Sequence, residues 1–391
     1  MKPKFLTMLL VVLASVLFAA AALTQQTGDW KTLDIRGIHY AVARNSLEPD
    51  RWRAELQHTD DCRAPCIVAF DDRLSAVHLR YKWMHLNPAD GVYDFSDLAG
   101  VLDVIHAAGK KATLVVMAGK YTPPWVFEKG AAHLETRFKG NDRFAQPHVP
   151  VPWDPVFLKA HGDMIDALSA HLRQTPARYD TLVLIKNGGI TTHSGETRLM
   201  PPKAFLSQDE MGTAGKPEAF QAQLCADYAR VGYSEDKILA AAAGMTRQIA
   251  TAFPDQYVGI AFVAGSRRFP TVDAAGRCVY PRKNATLNTI IKTMVATYGK
   301  RAMVNSTVLA KTLGVPKILK WVGKNGGQIG FQLEAQAIGC RRATATCDAS
   351  QFQASIQNGI DAGAVFIEVH DGNINHYKDI LPRMNETLRR R

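Results

Sequence analysis

Eight short apolar segments recur along the chain, and their regular spacing is the feature that most constrains the fold. Each has eight or nine residues and is apolar and β-branched through its middle. Segments of this length and composition are typical of strands that are buried on both faces. They occupy residues 35–43, 76–83, 111–119, 181–189, 257–265, 301–309, 327–335 and 363–371.

Segments with helical periodicity separate these runs, and Ser96 and Ser234 are predicted N-caps of two of them. Strands alternating with helices in this way predict an α/β fold, a single-domain (β/α)₈ TIM barrel with disulfide-stapled loops. An open doubly wound sheet is the alternative, but no glycine-rich phosphate loop follows the first strand. The helical segments are residues 96–111, 153–172, 234–253, 286–300, 315–327, 350–363 and 377–390.

The first 22 residues have the layout of a secretory signal. Lys2 and Lys4 precede an apolar run that leads into a cluster of alanines ending at Ala22. A basic region, an apolar region and small residues at the exit are typical of a cleavable signal peptide. We therefore expect a signal at 1–22, a barrel at 23–391 and a secreted or periplasmic protein without stable membrane insertion after cleavage. An uncleaved anchor is the alternative, because the apolar run is nearly long enough to span a bilayer.

Six cysteines follow the signal, an even number that suits an oxidising compartment. Two pairs of cysteines lie close together in the sequence and suggest local disulfides. The remaining two cysteines are then expected to pair with each other. A zinc site is the alternative, but the spacings are irregular and no pair of histidines lies near the first two cysteines. The predicted disulfides are Cys62–Cys66, Cys340–Cys347 and Cys225–Cys278.

The formal net charge of +11 falls by two, to +9, when Lys2 and Lys4 leave with the signal. A basic exported protein can meet acidic glycans, so an acidic polysaccharide is one predicted substrate class. Arg267 and Arg268, in the loop after the fifth strand, also favour an acidic glycan. The basic residues are scattered and form no stripe with aromatic residues, which argues against nucleic acid as a partner.

In a barrel of this type the active site is built at the carboxyl ends of the strands. The polar and aromatic residues at those ends are therefore the candidates for substrate contact. Strands five and six contribute little that is distinctive beyond the two arginines and Asn305. The candidates are His39 and Tyr40, Trp83 and His85, Tyr121 and Trp125, Asn187, His193 and Glu196, Gln332, Glu334 and Gln336, and Glu368, His370 and Asp371.

Several carboxylates and two tryptophans around one opening are typical of a site that cleaves sugars. Aromatic rings stack on pyranose faces, and hydrolysis needs one carboxyl as acid and a second as nucleophile or base. This chemistry needs only carboxyls and water, so no cofactor is predicted. Trp83 is as much a candidate for packing in the core as for stacking on a sugar. Trp125 follows a Pro-Pro turn and is expected to face the cleft. Glu368 lies between two apolar residues and is expected to point inward.

The stretch "RYKWMHLNPADGVYDFSDLAGVLDVIHAAGKKATLVVMAGKYTPPWV", residues 80–126, resembles the second and third β/α units of clan A glycoside hydrolases. Family 42 β-galactosidases and family 10 xylanases carry a similar W-x-x-x-x-P-x-x-G-x-Y-D-F-S motif. Residues 153–172 also resemble the helix before strand four in that clan. The resemblance implies an acid/base glutamate after an asparagine that ends strand four, and a nucleophilic glutamate that ends strand seven.

Glu334, in "GFQLEAQ", falls at the nucleophile's position, but Gly188 follows Asn187 where the clan has its acid. The nearest substitute is Glu196, in the flexible loop "THSGE". We therefore expect a retaining glycosidase in which Glu196 is the acid/base, with carboxyls about 5–5.5 Å apart. Burial and the Glu334 charge are expected to raise the pKa of Glu196.

Two other functions remain open. A barrel without its acid could bind an oligosaccharide or polysaccharide without cleaving it, or could cleave by another arrangement with Glu368 or Asp371. A metal-dependent hydrolase is a third hypothesis and would use His39, His193, His370 and Asp371. Such barrels usually carry a His-x-His at the end of strand one, where this chain has a single histidine.

Overall fold

The structure is a computed structural model. Its description covers residues 30–41, 73–135, 148–192, 194–199, 217–263, 269–272, 275, 278–279, 285–309, 315–333, 349–370, 373–374 and 377–391.

Eight parallel strands form a closed barrel, as the spacing of the apolar runs predicts. Each strand pairs with its neighbours in chain order, and the last strand pairs with the first. Closure satisfies the backbone of every strand on both sides, so the sheet has no exposed edge. The strands are β1 Gly37–Ala41, β2 Ala76–Lys82, β3 Lys111–Met117, β4 Leu182–Lys186, β5 Tyr257–Phe262, β6 Ala302–Leu309, β7 Gln328–Leu333 and β8 Ala364–Val369.

Helices connect the strands and surround the barrel, and apolar side chains on their inner faces pack against the outer face of the sheet. The helices are α1 Trp83–Leu86, α2 Ser96–Ala107, α3 Pro124–Glu128, α4 Pro155–Arg173, α5 Pro176–Thr181, α6 Pro217–Arg230, α7 Glu235–Ala252, α8 Ala285–Tyr298, α9 Lys317–Lys324, α10 Ala349–Asp361 and α11 Leu381–Arg389. Within the described residues, three short 3₁₀ helices lie at Trp30–Thr32, Gly119–Tyr121 and Gly299–Arg301. Small antiparallel pairs of strands join His133–Glu135 to His148–Pro150 and Thr271–Val272 to Cys278–Val279.

One of the two predicted N-caps is confirmed. The Ser234 hydroxyl accepts a hydrogen bond from the Lys237 amide at the start of α7. Ser96 is instead the first residue of α2, and its hydroxyl donates to Asp94. The prediction for Ser96 is wrong because Asp94 is placed to accept from both the amide and the hydroxyl of Ser96.

The amino-terminal half of the barrel interior is apolar. Leu184, Tyr257, Met303 and Phe366 form one buried cluster there, and Trp30 packs edge-on against Tyr257 with ring centroids 5.5 Å apart. The polar residues of the interior therefore lie in its carboxyl-terminal half.

Cys225 and Cys278 form a disulfide with Cα atoms 5.4 Å apart, as predicted. The bond joins α6 to the short strand Cys278–Val279. The other four cysteines, Cys62, Cys66, Cys340 and Cys347, lie outside the described residues. Among the described helices, none has the length and apolar character that crossing a membrane requires.

Candidate active site

A buried ion pair crosses the barrel interior toward its carboxyl end. Lys186, the last residue of β4, donates to Glu368 on β8, and both side chains are almost completely buried. Gln332 on β7 donates to the second oxygen of the same carboxylate at 3.1 Å. Lys186 and Glu368 lie on opposite strands of the barrel, so their contact shows that both side chains point inward. The inward direction predicted for Glu368 is correct.

His78, on β2, completes this interior group. Its Nδ1 lies 2.8 Å from the Thr113 hydroxyl and 3.9 Å from Glu368. Burial, reinforced by the charges of Lys186 and Arg80, holds the pKa of His78 well below its ordinary value. The imidazole is therefore neutral at physiological pH. Burial also lowers the pKa of Lys186, although the Glu368 carboxylate opposes this effect.

The loop after β4 returns to the barrel and carries Glu196 into its mouth. The Thr197 amide donates to the Ala261 carbonyl on β5 at 2.7 Å, which ties the loop to the strand. Gly195 lies against Val115 on β3, where a Cβ atom would be 3.0 Å from a valine methyl. Glycine therefore allows the loop to pass over the barrel between β3 and β5.

Glu196 and the ion pair line one small cavity. Its volume is about 10 Å³, which is at the lower limit of the space that one water molecule needs. The walls include charged groups of both signs from the loop and the strands. They are His78, Arg80, Val115, Lys186, Gly195, Glu196, Ala261, Asn305, Thr307 and Glu368.

Glu196 is ionised in this arrangement. Its carboxylate accepts from the Arg198 guanidinium at 3.2 Å, and its side chain keeps 14 % exposure. Burial favours the neutral form, but the Arg198 and Arg80 charges and a hydrogen bond from Ser194 outweigh it and lower the pKa of Glu196. The expected rise in this pKa is therefore wrong, because the two guanidinium groups stabilise the carboxylate.

Asn187 and Gly188 occupy the place where the resemblance implies an asparagine and an acid. The side-chain nitrogen of Asn187 donates to the Thr246 hydroxyl on α7, and the side-chain oxygen accepts from the backbone amide of Gly189. Asn187 thus faces the surrounding helices rather than the interior, which contradicts its predicted contact with substrate. A Cβ atom on Gly188 would lie 2.2 Å from the Val116 carbonyl oxygen, so no side chain fits there.

Two aromatic candidates belong to the core. Trp83 is fully buried, packs edge-on against Phe157 and His161 of α4, and exposes no ring face to a sugar. Tyr40 is likewise buried in the core between the sheet and the helices. The predicted sugar contacts of both are wrong because their side chains point away from the barrel interior.

Trp125, His39 and His370 have separate environments. Trp125 is half-buried beside an open cleft outside the barrel, and its indole donates to the Asn87 carbonyl. His39 points into the barrel, but its ring stacks on Phe366 and burial lowers its pKa to about 3. The His370 Nε2 lies 3.2 Å from the Leu333 carbonyl oxygen. Of the three, only His39 lies beside the interior polar group, in register with Glu368.

Six further candidates lie outside the described residues. The described part of β7 ends at Leu333, one residue before Glu334. No three His, Cys, Asp or Glu side chains of the described ranges are grouped so that they could hold a metal ion. The undescribed candidates are Glu334, Gln336, His193, Asp371, Arg267 and Arg268.

Arg80, Lys186 and His78 are interior residues that the sequence analysis did not select. A signal for them was present. In "AVHLRYKW", polar residues occupy alternate positions of an otherwise apolar strand, as expected when one face lines a polar interior. Lys186 similarly ends the apolar run of β4 with a charge.

Comparisons with known proteins agree with the barrel. The model of glycoside hydrolase family 42, described as β-galactosidase, matches residues 47–181. This match contains the motif-bearing stretch at 80–126. No curated protein sequence matches the chain.

Solved structures share the fold at low sequence identity. The β-amylase catalytic domain from Paenibacillus polymyxa has a TM-score of 0.53 and 11 % identity, over 88 % of this chain and 94 % of that one. Exo-β-1,4-mannosidase Op5Man5 from Opitutaceae bacterium strain TAV5 has a TM-score of 0.51 and 14 % identity. That alignment covers 93 % of this chain and 60 % of the mannosidase chain. The family match and the closed barrel therefore support a glycoside hydrolase, and the chain is similar to family 42 over residues 47–181.

Proposed function

We propose that the protein is a retaining glycoside hydrolase that cleaves a polysaccharide or oligosaccharide with two glutamates. The observation that carries the proposal is Glu196, a carboxylate brought into the mouth of a barrel that resembles family 42. It lines the same cavity as Glu368, Lys186 and Arg80, and the Arg80 charge stabilises the carboxylate that remains once Glu196 has donated its proton.

Glu334 is the proposed nucleophile and Glu196 the proposed acid/base. The nucleophile attacks the anomeric carbon while the acid protonates the departing oxygen, and Glu196 then activates the water that releases the product. Because Arg198 and Arg80 lower the pKa of Glu196, this carboxyl carries a proton only at acidic pH. Hydrolysis by this pair is therefore expected to be fastest on the acidic side of neutrality.

A non-catalytic glycan-binding barrel is the second candidate. It is favoured by Gly188, which leaves no space for the clan's acid, and by the Glu196–Arg198 ion pair, which opposes protonation. In this function the same interior would hold hydroxyl groups without protonating a glycosidic oxygen.

The place of action in this proposal is the periplasm or the exterior of the cell. The signal at 1–22 would direct export, and the Cys225–Cys278 disulfide suits an oxidising compartment. Amino-terminal sequencing of the exported protein should find a mature chain that begins near residue 23.

A screen of the exported protein against neutral and acidic polysaccharides tests the function, with released reducing ends as the signal. Acidic substrates are included because the mature chain is basic. Release from at least one substrate at acidic pH would support hydrolysis. Saturable binding without release at any pH would contradict it and would favour the glycan-binding alternative.

A further inference from the structure

An open cleft of about 470 Å³ lies beside the barrel, between the loop that joins α1 to α2 and helices α3 and α4. It shares no lining residue with the cavity around Glu196. Its volume is within the range of about 300–1,000 Å³ that small-molecule sites occupy. The lining includes two aromatic residues and four charged ones, namely Tyr93, Trp125, Asp90, Lys129, Lys159 and Asp163.

Trp125 is held in one orientation at this cleft. Its indole nitrogen donates to the Asn87 carbonyl oxygen at 3.0 Å. Asn87 is itself held, since its amide nitrogen donates to the carbonyls of Ala89 and Val92 at 2.8 Å each. Trp83 adds a donor to the Asn87 side-chain oxygen at 3.3 Å. An aromatic surface that is already ordered loses little conformational entropy when a ligand stacks on it.

Exposed apolar surface is concentrated at the same place. Among the described residues, three large hydrophobic side chains are exposed, and two of them are consecutive: Tyr93 at 36 %, which lines the cleft, and Val92 at 53 %, which precedes it in the chain. The Tyr93 ring stacks on Phe95, with centroids 5.7 Å apart. Burial and the nearby Asp163 and Asp90 carboxylates raise the pKa of Tyr93, so its hydroxyl stays protonated and can donate. Apolar surface gathered beside polar groups is typical of a binding site.

The charges at the rim are balanced. Lys129 pairs with Asp90 at 2.7 Å, and Lys159 pairs with Asp163 at 2.6 Å. All four side chains are at least half exposed, so each retains free hydrogen-bonding capacity toward solvent or a ligand. Two positive and two negative groups give no net attraction for an anion, although the chain as a whole is basic.

We propose that this cleft is a glycan-binding site for neutral pyranose units, separate from the barrel interior. A pyranose has an apolar C–H face that packs on an aromatic ring, and hydroxyl groups around its edge. Trp125 supplies the surface for the apolar face, and the paired carboxylates and ammonium groups supply acceptors and donors for the hydroxyls. The site would hold a distant part of a polymer, and it does not depend on whether the barrel hydrolyses the glycan.

Calorimetric titration of the mature chain tests the site, with Glu196→Gln in every sample to prevent turnover. The probes are maltohexaose, mannohexaose and galactohexaose, with hexagalacturonate as the acidic comparison. We expect at least one neutral hexaose to bind, and Trp125→Ala to weaken that binding about tenfold or more. Trp321→Ala is the matched control, because Trp321 is also half-buried and has a lysine nitrogen at the same 5.6 Å from its ring.

Asp163→Ala provides a second variant on an exposed side chain, where misfolding is not a concern. It should also weaken binding, whereas Asp361→Ala on the exposed face of α10 should not. The proposal is overturned if no neutral hexaose binds at millimolar concentration, if only hexagalacturonate binds, or if Trp125→Ala binds as tightly as Trp321→Ala. Because Trp125→Ala and Trp321→Ala are compared in the same background and binding is what is measured, these outcomes do not depend on the catalytic role of Glu196.

Discussion

Burial raises the pKa of Glu196, but the Arg198 and Arg80 charges and hydrogen bonds together outweigh burial and keep the carboxyl ionised. Replacing Arg198 by Met removes the nearer of these charges and should raise the pKa of Glu196. A general acid works only while protonated, so activity falls as the pH rises through its pKa. The alkaline limb of the kcat/KM profile should therefore move to higher pH in Arg198→Met.

Arg178→Met is the control for this shift, because Arg178 forms an exposed pair with Asp103 on the outer helices. Its profile should match that of the wild type. An alkaline limb that stays in place in Arg198→Met would remove Glu196 from the role of acid.

The Lys186–Glu368 pair is expected to matter for stability. Lys186→Met leaves the Glu368 carboxylate buried without its cation, which typically costs about 3–5 kcal/mol. Urea unfolding followed by circular dichroism measures the loss. Arg390→Met breaks an exposed pair with Glu386 and should leave the midpoint nearly unchanged. Equal midpoints for the two variants would show that the interior pair is not coupled to folding.

At the scale of single elements, the end of β4 is packed too closely for any side chain at Gly188. Gly188→Ala places a methyl group 2.2 Å from the Val116 carbonyl oxygen and should destabilise the fold by about 1–3 kcal/mol. Gly244→Ala is the matched control, because a Cβ atom there meets nothing within 4 Å. In the middle of α7 that change should stabilise by about 1 kcal/mol.

Thermal unfolding of the two variants compares these effects directly. A Gly188→Ala protein as stable as the wild type would mean that the β4 end can move, and that the clan's acid could be restored there. The packing predicts that Gly188→Glu does not create an acid in the barrel but weakens the fold.

The sequence predicts the barrel strands well because the length and the apolar, β-branched composition of each run are local properties. The sequence predicts less well the direction in which side chains point at the residues that follow each strand. Trp83 begins a helix directly after β2 and turns outward, and Asn187 turns toward α7 once the alternation of β4 ends. Within a strand, alternation is a strict guide, which is why Glu368 is placed correctly and why Arg80 could have been found.

At the scale of the whole molecule, eight repeats of strand and helix leave little freedom in topology, so the closed barrel follows from the sequence. The path of loop residues 194–199 does not follow from the sequence. It depends on contacts between Gly195 and Val115 and between Thr197 and Ala261, which are distant in sequence and carry no periodic signal. The Glu196–Arg198 pair, and with it the lowered pKa, follows from that path.

The Cys225–Cys278 disulfide ties together elements 53 residues apart. By the loop-entropy estimate, a closed loop of this length stabilises the fold by about 4 kcal/mol. A Cys225→Ala/Cys278→Ala protein should lose stability of this order in guanidinium unfolding without reductant. Reductant should lower the midpoint of the wild type more than that of the double variant, because the double variant has no Cys225–Cys278 bond to reduce. An unchanged midpoint in the double variant would contradict a structural role.

The central claim is that Glu196 is one of the two carboxyls that cleave a glycosidic bond. Its most direct test is the hydrolysis rate of Glu196→Gln at acidic pH, on the substrate that the polysaccharide screen identifies, beside wild type and the exposed control Glu386→Gln. Loss of the acid should reduce kcat by about 10²–10⁴-fold, with the control unchanged. A Glu196→Gln protein that hydrolyses the substrate at the wild-type rate would contradict the claim.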